Sequence, residues 1–184
     1  MYRGMMAVWA VVVAAPAVSV AQQPTDATVV TREQIEAVRT APDGGVDRQV
    51  KVVDIGKSNV AVGILHRNRV ENTGGPVRGI VHTLVTEVYY ITSGGGTLVT
   101  GGRLVEPRDI PSDSPIVTEL VGASISAATD GGQSRDVKEG DVVIIPAGVF
   151  HGWRQVDDHV TYLSIRPDPD KVLPAGYVHP VLEK

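Results

Sequence analysis

A small set of histidine and glutamate residues stands where side chains could do chemistry. His66, His82 and His151 lie inside or beside apolar, strand-like segments, whereas the other two histidines lie in polar or proline-rich surroundings. Glu87 lies in the run from Val85 to Ile91, which is otherwise suited to a buried strand. Because burying an unpaired carboxylate is costly, we expect a metal ion or a basic group beside it.

Two imidazoles and one carboxylate form a ligand set for a divalent metal ion. Neutral imidazole suits zinc, iron, nickel and copper, while a carboxylate adds a hard oxygen donor and cancels part of the charge. Three protein ligands also leave coordination positions open for water or substrate. A set of this kind therefore predicts a metal site with room for a small-molecule ligand.

The elements that must position these residues have the pattern of strands. Short β-branched or aromatic segments alternate with turns rich in glycine and proline, at 50–55, 60–67, 80–92, 97–100, 117–128, 141–145 and 160–165. Such a succession favours an all-β sandwich or barrel. The spacing of Thr31 and Gln34 is that of a capping box, which predicts one short helix over 32–39. Three further segments are predicted as a turn (93–96), a surface loop (106–114) and an extended tail (after Pro167).

Two stretches of the sequence resemble the two motifs of the cupin superfamily. In the first stretch, His82, Glu87 and Gly94 match the second histidine, the glutamate and the glycine of the first motif. The second stretch matches the second motif at four positions, namely Gly140, Pro146, Gly148 and His151. The similarity covers roughly residues 48–166. It implies a double-stranded β-helix, a jelly-roll barrel, over 48–184, preceded by an arm and short helix over 22–47.

The resemblance also implies that His82, Glu87 and His151 bind one divalent ion of iron, manganese, zinc or nickel. The leading histidine of the first motif would be residue 80, where this chain has Ile80. Either the site has three protein ligands with additional open positions, or another side chain fills the gap. His66 is the best candidate for that fourth position, with a hydrogen-bonded histidine at a strand end as the alternative.

The spacing of His82 and Glu87 conflicts with a straight strand. Residues an odd number apart face opposite sides of a strand, and these two would lie roughly 16 Å apart at about 3.3 Å per residue. They can share a metal only if the chain turns between them. Leu84, Val85 and Thr86 offer none of the usual turn residues. The turn is thus implied by the resemblance alone.

Three further side chains are candidates for the lining of a pocket above the metal. Alternation along a strand places Tyr89 on the same face as Glu87, and Trp153 on the same face as His151. Gln155 stands at the position, four residues after His151, where the second motif ends in asparagine. The alternative for the two aromatic residues is simple core packing, which is also expected of Phe150.

The start of the chain predicts export. An apolar run from Met5 to Ala15 follows Arg3, and small residues precede Gln22, which is the pattern of a secretory signal peptide cleaved after Ala21. The apolar run is shorter than the roughly 20 residues that span a bilayer. We therefore expect a periplasmic or secreted protein without a membrane span after cleavage. The chain has no cysteine, which excludes disulfides and thiolate metal ligands.

The net charge and the resemblance to cupins limit the classes of function that we expect. The net charge is −4 with mixed signs, and no basic stripe suggests nucleic-acid binding. The resemblance implies a homodimer and a metal-dependent enzyme of the oxygenase, lyase or isomerase type acting on a small organic molecule. The alternative is a non-catalytic module that binds a small ligand, since one fold hosts many chemistries. An inert structural barrel is the third possibility.

Overall fold

The computed structural model describes residues 26–42 and 44–183, so the predicted signal peptide, residues 1–21, lies outside the described residues. The described part contains one α-helix, α1 (Arg32–Arg39), and nine strands. The strands are β1 (Asp47–Asp54), β2 (Asn59–Val70), β3 (Val77–His82), β4 (Glu87–Thr100), β5 (Arg103–Asp109), β6 (Ser124–Asp130), β7 (Gln133–Lys138), β8 (Val142–Ile145) and β9 (His151–Asp168). A π-helical segment spans Ile116–Val121, and a 3₁₀ turn spans Pro180–Leu182.

The strands form two antiparallel sheets that share their longest members. The first sheet has the order β1-β2-β9-β4-β8, and the second has the order β5-β6-β3-β9-β4-β7. Because β4 and β9 bend from one sheet into the other, the two sheets close around a common interior. This is the predicted all-β, double-stranded β-helix. None of the helices in the described part is both long and apolar enough to cross a membrane.

The single predicted helix is confirmed with its cap. Thr31 accepts a hydrogen bond from the backbone N–H of Gln34, whose side chain in turn accepts from the backbone N–H of Thr31. The helix packs its buried residue Val38 against Val50 and Ile64, on the outer surface of the first sheet. It therefore covers part of the barrel without entering it.

Three predicted local structures are wrong, at least in part. Residues 93–96 were predicted as a turn, but β4 runs through them, with bulges against β9 at Ile91–Ser93 and Gly94–Thr97. The glycines are needed there because a side chain at Gly94 or Gly96 would collide with backbone carbonyl oxygens of β9. The first part of the predicted strand 117–128 is helical, and the strand begins only at Ser124. Part of the predicted loop 106–114 belongs to β5.

The barrel interior holds the main apolar core. Ten buried residues form it: Leu65, Tyr89, Ile91, Leu98, Val137, Ile145, Trp153, Val156, Val160 and Tyr162. The tail after Pro167 runs along the free edge of β1, as predicted. There the backbone N–H of Val52 donates to Tyr177, and the N–H of His179 donates to Val50. Phe150 packs with Val81 and Ala127 in a smaller cluster.

Candidate metal centre

His82, Glu87 and His151 meet at one point in the barrel interior. His82 ends β3, Glu87 begins β4 and His151 begins β9, so three strands from the two sheets each contribute one side chain. Oε2 of Glu87 lies 3.1 Å from Nε2 of His82 and 3.2 Å from Nε2 of His151. All three residues are at least 95 % buried: the exposed fractions are 5 %, 1 % and 5 %. Among the described residues, no other histidine or carboxylate joins this group.

The chain bends between His82 and Glu87, which resolves the conflict in their spacing. The bend is held from outside the segment: the backbone N–H and the hydroxyl of Thr83 both donate to the carbonyl of Ala123, each at 2.9 Å. Val85 is buried in a small cluster with Val52 and Leu173, among others. Tertiary contacts therefore impose the turn that the local sequence does not favour.

Ser124 fixes the tautomer of His82. The Ser124 hydroxyl donates to the carbonyl of Gly122 at 2.9 Å, so its oxygen is available to accept from Nδ1–H of His82, also at 2.9 Å. With the proton on Nδ1, Nε2 carries a lone pair. The two residues are direct neighbours across β3 and β6, so strand register sets this contact.

His151 is held in the same tautomer by a backbone group. Its Nδ1 lies 3.1 Å from the carbonyl oxygen of Val149, which can only accept, so Nδ1 carries the proton. Its Nε2 is buried and satisfied by no hydrogen bond within the described part of the chain. Two imidazole nitrogens and a carboxylate oxygen thus converge on one point, where a divalent cation would satisfy all three as acceptors and offset the cost of burying them together.

The distances within the group fit a metal ion. Metal bonds of about 2.1 Å to two adjacent ligands place those ligands about 3.0–3.4 Å apart, for octahedral or tetrahedral angles. The two distances from Oε2 of Glu87 fall in that range. Histidines that bind a metal through one nitrogen and donate from the other are the usual arrangement in proteins. The residues present therefore fit a divalent ion held by His82, Glu87 and His151.

The second carboxylate oxygen of Glu87 faces away from the histidines and is fully engaged. Oε1 accepts from the hydroxyl of Ser164 at 2.7 Å and from Nε of Arg166 at 3.2 Å. Oε2 also accepts from the hydroxyl of Tyr89 at 2.8 Å. These contacts fix the plane of the carboxylate and leave Oε2 as the oxygen that faces the two imidazoles.

Arg166 is a buried cation that sequence reasoning missed. Its guanidinium group is fully buried and also contacts Asp47 at 2.6 Å and Gln49 at 2.8 Å. A signal for it was present, because alternation from Tyr162 places Ser164 and Arg166 on the inner face of β9. A basic residue on an otherwise apolar inner face is as unusual as Glu87 in its own apolar strand, because both place a charge where an uncharged side chain is expected.

Burial and charge set the protonation states at the centre. Burial lowers the pKa of His82, and the Glu87 carboxylate only partly opposes this, so the imidazole is neutral. Burial also raises the pKa of Glu87, but the neighbouring His151 and His82 and the charge of Arg166 outweigh it, and the pKa is held well below its ordinary value. Burial and the charge of Glu87 raise the pKa of Tyr89 far above its ordinary value, so its phenol keeps its proton.

The position of the missing fourth ligand is apolar. Ile80 is the cross-strand neighbour of His151 and faces the same cavity, so a hydrocarbon side chain occupies that place. His66 does not replace it. Leu65 and Arg67 face the cavity, which puts His66 on the opposite face of β2, where its Nδ1 contacts Thr161 at 2.8 Å and its ring stacks on His159.

A cavity of about 880 Å³ opens beside the three ligands. Tyr89 and Trp153 line it, in agreement with strand alternation. Gln155 does not, contrary to expectation, and its side chain donates to Asp157 at 2.7 Å. The reason is a bulge, because the pairing of β9 with β4 shifts between Trp153 and Gln155 and reverses the alternation.

Comparison with known proteins gives structural neighbours only. No protein-family model and no curated protein sequence matches the chain. A Bacillus halodurans protein of solved structure is 16 % identical, with a TM-score of 0.46, over 86 % of this chain and 93 % of that one. A conserved Klebsiella pneumoniae protein with a double-stranded β-helix domain is 15 % identical, with a TM-score of 0.43, over 80 % and 94 %. An RmlC-like cupin from Methanocaldococcus jannaschii is 14 % identical, with a TM-score of 0.37, over 72 % and 90 %.

The fold itself rests on the chain's own topology. Two antiparallel sheets share β4 and β9 and enclose a common interior, with His82, Glu87 and His151 at the ends of three strands. These are the positions that the two sequence motifs indicated. By its strand topology, the chain is a double-stranded β-helix protein.

Proposed function

We propose that His82, Glu87 and His151 hold one divalent metal ion and that the adjoining cavity is the site of a reaction on a small organic molecule. The observation that carries this proposal is the convergence of three buried acceptors, two of them imidazole nitrogens whose other nitrogen is already committed as a donor. A bound divalent ion would supply Lewis acidity toward a carbonyl or carboxylate oxygen or, if redox-active, a site for dioxygen.

The residues of the chain support such chemistry around the ion. Ser164 and Arg166 restrain Glu87 so that a single oxygen faces the metal position. The Tyr89 hydroxyl, whose proton is retained, lies beside that oxygen and can orient a bound oxygen ligand. Trp153, buried in the apolar core, lines the cavity and offers it an apolar surface. The reaction we propose is of the oxygenase, lyase or isomerase type that the sequence resemblance implies.

Metal content tests the proposal. The full chain, expressed and then reconstituted separately with iron, manganese, zinc and nickel, should bind near-stoichiometric metal by elemental analysis. His82→Ala and His151→Ala should lose it, whereas His66→Ala and His159→Ala, which remove histidines outside the group, should retain it. Wild-type protein that binds none of the four ions would contradict the proposal. The ion bound with highest affinity then selects the activity screen.

A non-catalytic ligand-binding module is the second candidate. The observation favouring it is Ile80, which leaves the site with one protein ligand fewer than the complete motif. Under this alternative, a small molecule binds in the cavity and is recovered unchanged, with or without metal. Metal-dependent turnover of any small organic substrate excludes it.

We further propose that two copies of the chain pair through the uncovered face of the first sheet. One registered row of apolar residues crosses four strands, from Val62 through Ile165 and Val88 to Ile144. A neighbouring row continues through Leu163, Tyr90 and Val142. Ile144, Val142 and Tyr90 are 68 %, 60 % and 46 % exposed. An apolar face of this kind, with Lys51 of β1 beside Val62 at its edge, is complementary to itself across a two-fold axis.

Solution mass tests the pairing. Light scattering should give twice the monomer mass for the wild type and the monomer mass for Ile144→Glu. Val29→Glu places the same charge at an equally exposed apolar residue outside this face and should remain dimeric. A monomeric wild type would contradict the proposal.

We also propose that the protein is exported and that residues 1–21 are removed. The support is the apolar run before Ala21 and the absence of cysteine. The mass of the protein recovered from the exported fraction of expressing cells should correspond to a chain that begins at Gln22. An intact chain confined to the cytoplasm would contradict it.

A further inference from the structure

The wall of the 880 Å³ cavity carries positive charge that the protein itself does not neutralise. Arg67, Arg78 and Arg154 all line it. No ion pair joins any of the three to a carboxylate anywhere in residues 26–42 and 44–183. Arg78 is exposed, while Arg67 and Arg154 are half-buried, so the charge extends from the mouth into the interior.

The carboxylates of the same wall are already compensated. Asp47 and Glu87 both contact the buried guanidinium group of Arg166, at 2.6 and 3.2 Å. Glu71, at the mouth, lies 3.5 Å from Arg69. The cavity and its immediate partners therefore hold five arginines against three carboxylates, in a chain whose net charge is −4. A metal ion would add further positive charge.

Arg67 is linked to the candidate metal centre through two tyrosines. Its Nε contacts the hydroxyl of Tyr162 at 3.4 Å. The Tyr162 ring packs on Tyr89, at 4.4 Å between centroids, and Tyr89 donates to Glu87. The two terminal nitrogens of Arg67 have no hydrogen-bond partner within the part of the chain that the structure describes. A guanidinium group with both terminal nitrogens available matches the two oxygens of a carboxylate.

We propose that this cavity binds a small organic carboxylate, with its carboxylate group paired to Arg67 and its body lying along Trp153 and Leu65 toward the metal centre. The inference deepens the proposed function. It rests on that function in one respect, namely that the end of the ligand opposite its carboxylate reaches the proposed metal ion. The exposed Arg78 and the half-buried Arg154 add positive charge that attracts the anion from solution. The class of ligand thus follows from the positive charge of the cavity wall and from the planar guanidinium group of Arg67, which can bind both oxygens of a carboxylate.

Matched acids and amides test the inference. Acetate, succinate and benzoate, each beside its neutral amide, are titrated calorimetrically into the full chain, both metal-free after dialysis to remove chelator and loaded with zinc. At least one acid should bind tenfold or more tightly than its amide. Arg67→Gln should weaken that acid by about tenfold or more and leave the amide unchanged, because a charge-assisted bidentate contact is lost. Arg67→Lys should fall between the two.

The control is Arg103→Gln, which removes the same charge from an exposed residue that pairs with Asp130 outside the cavity. It should bind the acid as the wild type does. Circular dichroism shows whether each variant is folded. If Arg67→Gln does not fold, the inference is judged by the difference in affinity between acid and amide and by the affinity of Arg67→Lys for the acid. Acids that bind no better than their amides, or as well to Arg67→Gln as to wild type, overturn the inference. Inorganic phosphate that binds through Arg67 more tightly than every acid also overturns it.

The outcome is separable from that of the metal test. If binding of an acid to the metal-free protein depends on Arg67, the inference is supported even where the protein binds no metal. Zinc that depends on His82 and His151, without any preference for acids, overturns the inference and leaves the metal proposal standing.

Discussion

Gly63 and Arg166 face each other across the neighbouring strands β2 and β9. A Cβ atom at position 63 would lie 2.9 Å from Nη1 of Arg166 and 3.0 Å from Cζ, so only glycine leaves room for the buried guanidinium group. Gly63 is also the strand neighbour of Ser164, the other residue that holds Oε1 of Glu87. A residue with no side chain therefore shapes the support of the metal centre.

We expect Gly63→Ala to destabilise the protein by about 1–3 kcal/mol, because the added methyl group overpacks a buried site. Zinc affinity should fall as well, since the displaced Arg166 no longer restrains Glu87. Urea unfolding and competitive zinc titration measure the two effects. Gly75→Ala is the control, because its nearest contact would be an ordinary 3.9 Å from Thr73. Equal stability of the two variants would contradict the prediction.

Arg166→Leu should lower the free energy of unfolding more than Gly63→Ala does. It leaves Asp47 and Glu87 without their shared cation, and breaking a buried ion pair by removing one partner costs about 3–5 kcal/mol. The matched substitution Arg103→Leu removes an exposed partner of Asp130 and should cost less than about 1 kcal/mol. Urea denaturation of both variants without added metal gives the comparison. Similar losses in the two would show that Arg166 contributes no more than a surface residue.

Ser124→Ala should weaken metal binding without removing a ligand. The substitution deletes the acceptor that orients His82 and keeps its proton on Nδ1. Losing such a partner typically lowers metal affinity about 10–100-fold. Ser126→Ala, an exposed position on the same strand, is the control and should bind zinc as the wild type does. The prediction fails if both serine variants hold zinc with the affinity of the unaltered chain.

Tyr162→Phe should lower stability by about 1–3 kcal/mol. The hydroxyl accepts from Nε1 of Trp153 at 3.3 Å and from Nε of Arg67 at 3.4 Å, and removing it leaves the buried indole N–H unsatisfied. Tyr90→Phe removes the same group from the exposed face of β4 and should be close to neutral. Thermal unfolding distinguishes the two. A Tyr162→Phe melting temperature equal to that of Tyr90→Phe would refute the argument.

Much of the fold could be predicted from the sequence because its signals are local. The capping box of Thr31 and Gln34 marks the helix, and β-branched segments between turns mark most of the strands. Turns formed by glycine pairs after β4 and β6 were also predictable. The strand content follows from these patterns, which left a sandwich or a barrel open, whereas the double-stranded β-helix was implied by the resemblance.

The errors share a physical cause, which is tertiary control of strand geometry. The bend after His82 depends on Thr83 bonding to Ala123, a contact forty residues away in sequence. The glycines at 94–96 serve close approach to β9 where a turn was expected, and a bulge near Arg154 turns Gln155 away from the cavity. Arg166 was not predicted, although a buried arginine is the expected partner of a buried glutamate.

The position of the three ligands at separate strand ends has a thermodynamic consequence for a chain that lacks cysteine. His82 and Glu87 belong to one half of the chain and His151 to the other, so an ion bound by all three would close a long loop. Closing a long loop removes conformational freedom from the unfolded chain, which is how a disulfide stabilises a protein in the chain-entropy description. Metal binding by the folded state alone would add its own free energy to the stability. The ion would then act as a removable cross-link, coupling the lifetime of the folded protein to the metal supply around it.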